Sequence, residues 1–593
     1  MHTDDIVAGS MAVAVTMAVG VAVGVAVALT AAPAARADTG EHREFDAQLQ
    51  TPYRAPGDAA ARVFTLHLSY PDRGRVHPVW WQLELSGPGG VRRWQGRERL
   101  GAAPRTLAQH WDGRLGGRPA PAGLYRLRLR AGAGGQAPAA PSRPPRRSRA
   151  GASAARAATA ARAAATDAVV EQSWELMVGA PPAAALAPFT ALPTAQAARA
   201  ARGTPLAPGA LAAVPAPSGL DYTVYLGNLH SQSNHSDGGG ALDRCVGAQE
   251  PQSTPFGPRD AYDFARRHGL DFLMTSEHNH MYDGADGSNA NAEPLAARGL
   301  YQGGLADAAR YTAEHPEFLA IYGMEWGVIS KGGHLNIFNS EQLLGWERNR
   351  AGQLLADTFT AKGDYPALYS LMREHGWLGQ FNHPQDGQFR AAGRPLGYTE
   401  DGDAAMVLCE VLNSNAFSAV VDESEARHSN YEKSCNAALE AGFHLAFSSD
   451  QDNHCANWGA AYSNRTGVLI ANGTALSSAS LLDALRARRV FATMDKQSQL
   501  VLLANGHLMG ERFDNSGALT LSVRYANSAG RGAAAVSVFE GVPGRNGSVS
   551  VLGSAADSTI TPTPGRHFYY AKVTQDDGRS LWSAPVWVEQ LSP

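Results

Sequence analysis

Residues 221–495 alternate stretches of helical character with short apolar stretches, and this alternation constrains the fold more than any other feature. Pro258 suits the first turn of a helix, and Gly269 suits the end of the same helix. The apolar stretch 270–276 follows directly, and the same succession recurs at 368–384 and 431–454. Such repetition indicates βα units and predicts an α/β fold with a parallel sheet or barrel.

The apolar stretches of this segment end in histidine, carboxylate or amide residues. Because parallel strands end at one face of a sheet or barrel, we expect these side chains to converge. Neutral imidazole nitrogens and anionic oxygens are the ligands that Zn, Mn and Fe use. The segment therefore predicts a metal site, and its candidate residues are His230, Gln232, His235, Asp237, Glu277, His278, His280, Glu325, His334, His383, Glu410, Asn413, Asp450, Asp452 and His454.

The order and spacing of these residues resemble the motifs of the PHP (polymerase and histidinol phosphatase) superfamily. The matching stretches are NLHSQSNHSDG at 228–238, GLDFLMTSEH at 269–278, GME at 323–325 with GH at 333–334, NHP at 382–384 and SDQDNH at 449–454. The stretch 485–511 is similar to an exported branch of that superfamily, the carbaryl-hydrolase type. The resemblance implies a distorted (β/α)7 barrel that holds two or three divalent metal ions, of Zn, Mn or Fe.

The resemblance also implies a role for each candidate ligand. A first ion is expected at His230, Glu325 and either Asp450 or Asp452, and Asp452 is preferred because it keeps the D-x-H spacing to His454. Glu325 is expected to bridge to a second ion, for which the other candidates are His383 and His334. A third ion is expected at Asp237, His278 and His454.

Two positions depart from the family pattern. Gln232 stands where the motif has its second histidine, and Glu277 stands where an aspartate precedes His278. Glutamine offers a metal only a neutral amide oxygen. We therefore expect either weaker binding of the first ion or a binuclear centre.

Hydrolysis is the reaction that such a metal cluster favours, because it acidifies a water molecule and polarises an ester. His280 or His334 is a candidate proton donor for the leaving group, and Arg390 is a candidate clamp for an anionic substrate. Residues 221–495 contain no dinucleotide-binding fingerprint, no P-loop and no G-x-S-x-G elbow. The prediction is a phosphoesterase acting on phosphate mono- or diesters. The alternatives are a carboxyl-ester or carbamate hydrolase of the same fold, and a catalytically weak glycan- or wall-binding protein with a structural metal core.

The N-terminus resembles a secretory signal peptide. Residues 11–32 are apolar and uncharged, and Ala35-Arg36-Ala37 is a small-x-small cleavage signal. The acidic residues Asp4 and Asp5 and the length of the apolar run also suit an uncleaved anchor. We expect cleavage of residues 1–37, a periplasmic or extracellular location, and no stable membrane span in the mature protein.

The four cysteines of the chain all lie in the middle segment, at 245, 409, 435 and 455. In an exported protein an even number of cysteines indicates disulfides, and four cysteines allow three pairings. Four free buried thiols are the alternative. Zinc binding by cysteine is disfavoured because no C-x-x-C pair is present.

The segments on both sides of 221–495 alternate apolar and polar residues with the period of β-strands. Residues 40–178 predict an Ig-like β-sandwich, in which about 25 residues around the WDG motif at 111–113 resemble a repeat of flagellar hook-capping proteins. Residues 136–167 predict a disordered loop, 179–217 a linker, and 497–593 a C-terminal β-sandwich. The predicted architecture is therefore a metallohydrolase barrel at 221–495 flanked by two sandwiches.

The charge of the chain limits its partners. Lys and Arg number 51 against 55 Asp and Glu, which gives a net charge of −4. This balance disfavours a nucleic-acid partner. The expected substrate is a small-molecule or polymeric ester.

Overall fold

The structure is a computed structural model that describes residues 45–70, 76–101, 103–134, 169–180, 182–195, 219–328 and 332–592. These described residues belong to one compact unit. The predicted signal peptide (1–37), the predicted disordered loop (136–167) and most of the predicted linker (179–217) lie outside them.

The N-terminal described segment consists of strands. They are β1 (Asp46–Gln50), β2 (Arg62–Ser69), β3 (His77–Gly87), β4 (Gly90–Leu100), β5 (Arg105–Trp111), β6 (Arg114–Leu115), β7 (Arg118–Pro119), β8 (Gly123–Ala133) and β9 (Val169–Val178), with a 3-10 turn at Pro56–Asp58. One sheet has the order β4-β3-β8-β9, and β2 pairs with β1 and β5. Side chains alternate along β8, so that Tyr125, Leu127 and Leu129 are buried in a core shared by these strands.

The middle segment mixes helices with strands. Its elements are β10 (Tyr222–Asn228), α1 (Pro258–Arg267), β11 (Phe272–His278), α2 (Pro294–Glu314), β12 (Leu319–Val328), β13 (Gly333–Ile337), β14 (Leu344–Gly345), β15 (Thr358–Phe359), α3 (Tyr365–His375), β16 (Gly379–Phe381), α4 (Glu400–Ala405), β17 (Met406–Ser414), β18 (His428–Asn430), α5 (Glu432–Ala441), β19 (Ala446–Asp450), β20 (Arg465–Ala471), α6 (Ser478–Arg486) and β21 (Val490–Thr493). Pro258 begins α1, as its sequence indicates.

The predicted (β/α)7 barrel is wrong, because the middle segment forms part of a large mixed sheet. β10, β11 and β12 are parallel neighbours, as are β16, β17 and β19, but β13 is antiparallel to both β12 and β16. β20 is antiparallel to β10 and β21. Only four residues separate β12 from β13, and a parallel crossover needs about a dozen. No helix separates β19 from β20 either, so the βα alternation breaks at both places.

The C-terminal segment is again built of strands. They are β22 (Ser498–Ala504), β23 (His507–Leu508), β24 (Arg512–Asn515), β25 (Leu519–Asn527), β26 (Ala533–Gly541), β27 (Ser550–Gly553), β28 (Asp557–Ile560), β29 (Gly565–Gln575), β30 (Ser580–Ser583) and β31 (Val586–Gln590). One sheet has the order β23-β22-β25-β28, and β30 pairs with β21 of the middle segment. Residues of both segments therefore share hydrophobic cores.

Two disulfides are present, as predicted, and they settle the pairing that the sequence left open. Cys245 is bonded to Cys455, and Cys409 is bonded to Cys435. Disulfides are typical of proteins that function outside the reducing cytoplasm. Among the described helices, none has the length and apolarity needed to cross a membrane.

Candidate metal centre

The register of three neighbouring strands brings the first site residues together. His278, the last residue of β11, lies opposite Glu325 of β12. His334, near the start of β13, lies opposite Gly327 of β12. Since β13 runs against β12, its first residues lie at the edge where β11 and β12 end.

Glu325 is the residue on which the histidines converge. It is fully buried, and its carboxylate oxygens lie close to one nitrogen of each of four imidazoles, at 3.1 Å from His230 Nε2, 3.3 Å from His278 Nδ1, 3.0 Å from His334 Nδ1 and 3.3 Å from His383 Nε2. Burial alone would raise the pKa of Glu325, but the charges of His230, His334 and His278 outweigh burial and hold it well below its usual range.

The carboxylates act on the histidines in the same way. Burial alone would lower the pKa of His230, but Asp452, Glu325 and Glu410 raise it well above its usual value. The pKa of His454 is raised to about 9 by Asp237 and Asp452, against the effect of burial. His230 and His454 are therefore stabilised in their charged forms by these carboxylates, whereas burial lowers the pKa of His334 despite its contact with Glu325.

Three groups in this cluster have the composition of metal sites, and two of them share His278. In each group, one nitrogen or carboxylate oxygen from every residue lies within 4.8 Å of the others. The groups are His230, His383 and Asp452; Asp237, His278 and His454; and His278, Glu325 and His334. Imidazole nitrogens with carboxylate oxygens are a donor set that fits Zn, Mn or Fe. The residues present therefore fit the divalent ions that the sequence predicts.

The structure distinguishes the two aspartates that the sequence left as alternatives. Asp452 lies beside His230, with 3.0 Å between Oδ1 and Nε2. Asp450 instead accepts hydrogen bonds from the Leu229 backbone and the Thr466 hydroxyl, and burial raises its pKa to about 7. Asp450 thus connects β19 to Leu229 after β10 and to Thr466 of β20 through hydrogen bonds, whereas Asp452 belongs to the cluster.

Gln232 reaches the cluster through its amide nitrogen. Nε2 donates to Glu325 Oε2 at 2.7 Å, and Oε1 accepts a hydrogen bond from Ser236. The amide oxygen, which is the only metal ligand that glutamine offers, is thus bonded to a hydroxyl. Gly238 closes the same loop, because a Cβ there would lie 2.5 Å from the Gln232 backbone.

Glu277 points away from the three groups of the cluster and into the loop that follows β10. Its carboxylate accepts hydrogen bonds from the Ser233 backbone, the Ser233 hydroxyl and the Ser236 hydroxyl. Burial raises the pKa of Glu277 to about 7 despite these bonds. Glu277 therefore holds the loop that carries Gln232 and Asp237.

Two residues of the cluster have left-handed backbone conformations. The φ angle is +29° at His383 and +50° at Asp452. Such angles are unfavourable for residues other than glycine, at a cost of about 1–3 kcal/mol each, and they concentrate at functional sites. Both residues belong to the same group of three, so the backbone is strained where this group is formed.

The predicted proton donors and the predicted anion clamp lie in different surroundings. His334 belongs to the cluster, and His280 is buried next to it, 5.7 Å from His278 between ring centroids. His280 also lines a small cavity together with Asp283 and Glu347. Arg390 is exposed and donates to the Gly393 carbonyl, and no contact with the cluster is found for it among the described residues.

Three residues around the cluster have roles that the motifs do not indicate, although Glu410 is already among the candidate residues. Glu410 lies 3.3 Å from His230 Nδ1 and accepts a hydrogen bond from the His383 backbone. Asn382 donates to Glu325 at 2.8 Å. Glu410 at the end of a strand and Asn382 beside a candidate ligand were the available signals.

The third of these residues is Asp46, which belongs to the N-terminal segment. Burial raises its pKa to about 6, against the Ala47 backbone and the charges of His383 and Arg427.

Comparisons with known proteins do not identify a family. No protein-family model matches the chain, and no curated protein matches it. Among solved structures, similarity is found to a β-glucuronidase of Parabacteroides merdae, with 10% identity over 93% of this chain and 65% of that chain, at a TM-score of 0.17. An FMN-binding β-glucuronidase from Facaelibacterium prausnitzii L2-6 has 9% identity over 92% of this chain and 74% of that chain, at a TM-score of 0.15. The chain thus spans slightly less than two thirds of the Parabacteroides enzyme, and TM-scores this low carry no argument about fold or activity.

Proposed function

We propose that this protein is an exported metal-dependent hydrolase that cleaves phosphate mono- or diesters. The observation that carries the proposal is the set of three His, Asp and Glu groups, in each of which the donor atoms lie close enough together to hold a metal ion. The ordered motifs that resemble the PHP superfamily support the phosphoester class. The two disulfides support export.

The residues of the cluster have distinct tasks in this proposal. When bound, divalent ions supply Lewis-acid activation of a water molecule and of the ester. Glu325 keeps the surrounding imidazoles in place through its contacts with four of them. His280 is 3.5 Å from Asp286, between Nε2 and Oδ1, and is the candidate to hold a proton for the leaving group.

The alternative with a supporting observation is hydrolysis of a carboxyl ester or carbamate. The cavity beside His280 is lined by the acidic residues Asp283 and Glu347. Their negative charge suits a neutral substrate, such as a carboxyl ester or carbamate, better than an anionic phosphoester. This alternative uses the same metal ions and the same proton donor.

One purified sample of the full chain tests these proposals. Elemental analysis is combined with turnover of p-nitrophenyl phosphate, bis-p-nitrophenyl phosphate and p-nitrophenyl acetate, with and without chelator. Two or more metals per chain with chelator-sensitive phosphoester cleavage is the expected result. Cleavage of the acetate alone would favour the alternative. Bound metal with no turnover would favour the binding protein, and absence of metal would refute the metal centre.

A further inference from the structure

The stretch that carries Asp237 has no regular secondary structure of its own. β10 ends at Asn228 and α1 begins at Pro258, and all residues between them are described by the structure and form no helix or strand. Loops of this length are uncommon in compact domains unless they serve a function. The position of Asp237 therefore depends on the parts of the chain to which the loop is attached.

One attachment of this loop is to the stretch that carries His454. The backbone N–H of Gly240 donates to the His454 carbonyl at 3.0 Å, and that of Ala456 donates to the Gly240 carbonyl at 2.9 Å. Gly240 and Cys455 form an isolated parallel bridge. A Cβ at Gly240 would lie 3.0 Å from Cys245 Sγ. The two stretches thus lie side by side against the disulfide.

The Cys245–Cys455 disulfide links the same two stretches covalently. Cys455 directly follows His454 in the sequence, and the two cysteines are 210 residues apart. Both are buried. The backbone hydrogen bonds between the stretches give little net stabilisation, because water competes for the same groups. The disulfide is a bond between them that water cannot replace.

The metal-ligand candidates on these stretches lie close to each other. His454 Nε2 is 3.4 Å from Asp237 Oδ1, and His278 Nε2 is 3.6 Å from the same oxygen. His278 is the last residue of β11, so the sheet fixes its position. The other two members of this group are brought together by the attachment of the two stretches. The group therefore depends on this attachment.

The second disulfide joins two regular elements and offers a matched comparison. Cys409 lies in β17 and Cys435 lies in α5. Cys409 directly precedes Glu410, whose carboxylate is 3.3 Å from His230 Nδ1. β17 pairs with β16 on one side and with β19 on the other. Because these pairings hold Glu410 in place, loss of this disulfide should leave the cluster intact.

We infer that the Cys245–Cys455 disulfide is a positioning element of the candidate metal centre, which aligns Asp237 and His454 for an ion that they hold together with His278. The inference rests on the proposed function and adds a condition for its metal binding. Formation of the bond transfers two electrons and two protons from the cysteine thiols to an external disulfide, which is reduced to two thiols. The chain therefore binds its full set of ions only after oxidation outside the reducing cytoplasm.

The test compares metal binding by the full chain with and without this bond. Elemental analysis after dialysis and competition with a chromophoric chelator are applied to the unmodified protein, Cys245→Ala/Cys455→Ala and the control Cys409→Ala/Cys435→Ala. We expect the first variant to bind one ion about 10–100-fold more weakly, as is typical when groups that orient metal ligands are lost. A higher free metal concentration should restore this ion, and the control should bind metal as the unmodified protein does.

Combination with ligand variants identifies the ion that is affected. His454→Ala should weaken the same ion, so adding it to Cys245→Ala/Cys455→Ala should cause no loss of a further ion. His383 belongs to a different group, so adding His383→Ala should cause loss of a second ion. If His454→Ala also removed a second ion from the disulfide variant, the inference would be wrong.

The oxidation state gives a second readout on a single polypeptide. In Cys409→Ala/Cys435→Ala only Cys245 and Cys455 remain to form a disulfide. The reduced form, with two titratable thiols, should show the weakened ion, and oxidation by oxidised glutathione before metal is added should restore its affinity. Equal metal affinity in the two forms would overturn the inference.

Failure of this inference is distinguishable from failure of the proposed function. Unchanged metal affinity in Cys245→Ala/Cys455→Ala, or an equal loss in the control, would overturn the inference and leave the metal centre in place. An unmodified chain that binds no metal would overturn both. Should the double variant not fold, Cys245→Ala alone breaks the same bond and keeps the buried Cys455.

Discussion

The Nε2 atom of Gln232 lies 2.7 Å from Oε2 of Glu325, so an amide donates a hydrogen bond to the carboxylate that contacts four imidazoles. The family that the sequence resembles has a histidine at this position. Glutamine here supplies a donor to Glu325, and its oxygen is engaged by Ser236. This contact leads to the first prediction.

We expect Gln232→His to tighten metal binding about tenfold or more, because an imidazole nitrogen replaces an amide in contact with the cluster. Competition with a chromophoric chelator measures the affinity. Ser236→Ala is the control, since it removes the hydroxyl that bonds to Gln232 without adding a ligand. Equal affinity in Gln232→His and the unmodified protein would contradict the prediction.

Glu325→Gln should reduce the metal content to less than one ion per chain and abolish hydrolysis. The change removes the negative charge that lies beside four histidines and leaves its volume nearly unchanged. Elemental analysis and turnover measure the effect. The matched control is Glu314→Gln, which alters an exposed glutamate paired with Arg259. Full activity of Glu325→Gln would refute the metal centre.

The ion pair of Glu425 and Arg427 predicts a pH dependence of stability. Burial would raise the pKa of Glu425, but hydrogen bonds from Arg427 and Ser418 lower it to about 2, from an ordinary value of 4.5. A carboxyl whose pKa falls on folding stabilises the protein fully above its unfolded-state pKa and loses this effect as the pH falls through the folded-state pKa. The stabilisation should therefore disappear between about pH 4.5 and pH 2.

Glu425→Gln measures this contribution. Denaturant unfolding at fixed metal concentration should show a loss of about 1 kcal/mol at pH 6, because Arg427 is partly exposed and solvent screens the pair. The difference between the two proteins should shrink as the pH is lowered toward 2. A difference in the free energy of unfolding that stays constant with pH would contradict the lowered pKa of Glu425.

Reduction of the disulfides should destabilise the protein. Cys245 and Cys455 are 210 residues apart, and Cys409 and Cys435 are 26 residues apart. Loss of a native disulfide commonly lowers the free energy of unfolding by about 2–4 kcal/mol, with the larger effect for the longer loop. We expect the double variant Cys245→Ser/Cys455→Ser to melt at a lower temperature than Cys409→Ser/Cys435→Ser. The reverse order of melting temperatures would show that loop length does not determine the stabilisation by these two disulfides.

Most residues of the cluster were recognisable in the sequence because they stand at or just after the end of an apolar stretch. The antiparallel direction of β13 was not predicted, although the short distance in sequence between Val328 and Gly333 indicates it. A connection of four residues cannot contain a crossover helix, so β13 had to turn back along β12. The alternation of helical and apolar stretches in 221–495 thus predicted where strands end but not how the strands pair.

Asp46 shows what a reading of local patterns cannot find. It precedes His230 by more than 180 residues and lies in a strand whose pattern indicates only a half-buried sheet. The attachment of its segment to the middle segment depends on the pairing of Leu49 with His428 and on the contacts of Lys433 with Glu171 and Asp386. Pairings over such distances follow from packing of whole segments, which short motifs do not encode.

The two disulfides are nested, and their order along the chain has a consequence for how the protein is made. Cys245 emerges first during synthesis, but its partner is the last of the four cysteines. At about 5–20 residues per second, its partner follows roughly 10–40 s later, and Cys409 and Cys435 emerge in between. Oxidation in order of appearance would join Cys245 to Cys409 and Cys435 to Cys455. The cysteine that follows His454 would then have the wrong partner. Production of the native chain therefore requires either delayed oxidation or thiol–disulfide exchange, so a host compartment with a disulfide isomerase should give the higher yield of active protein.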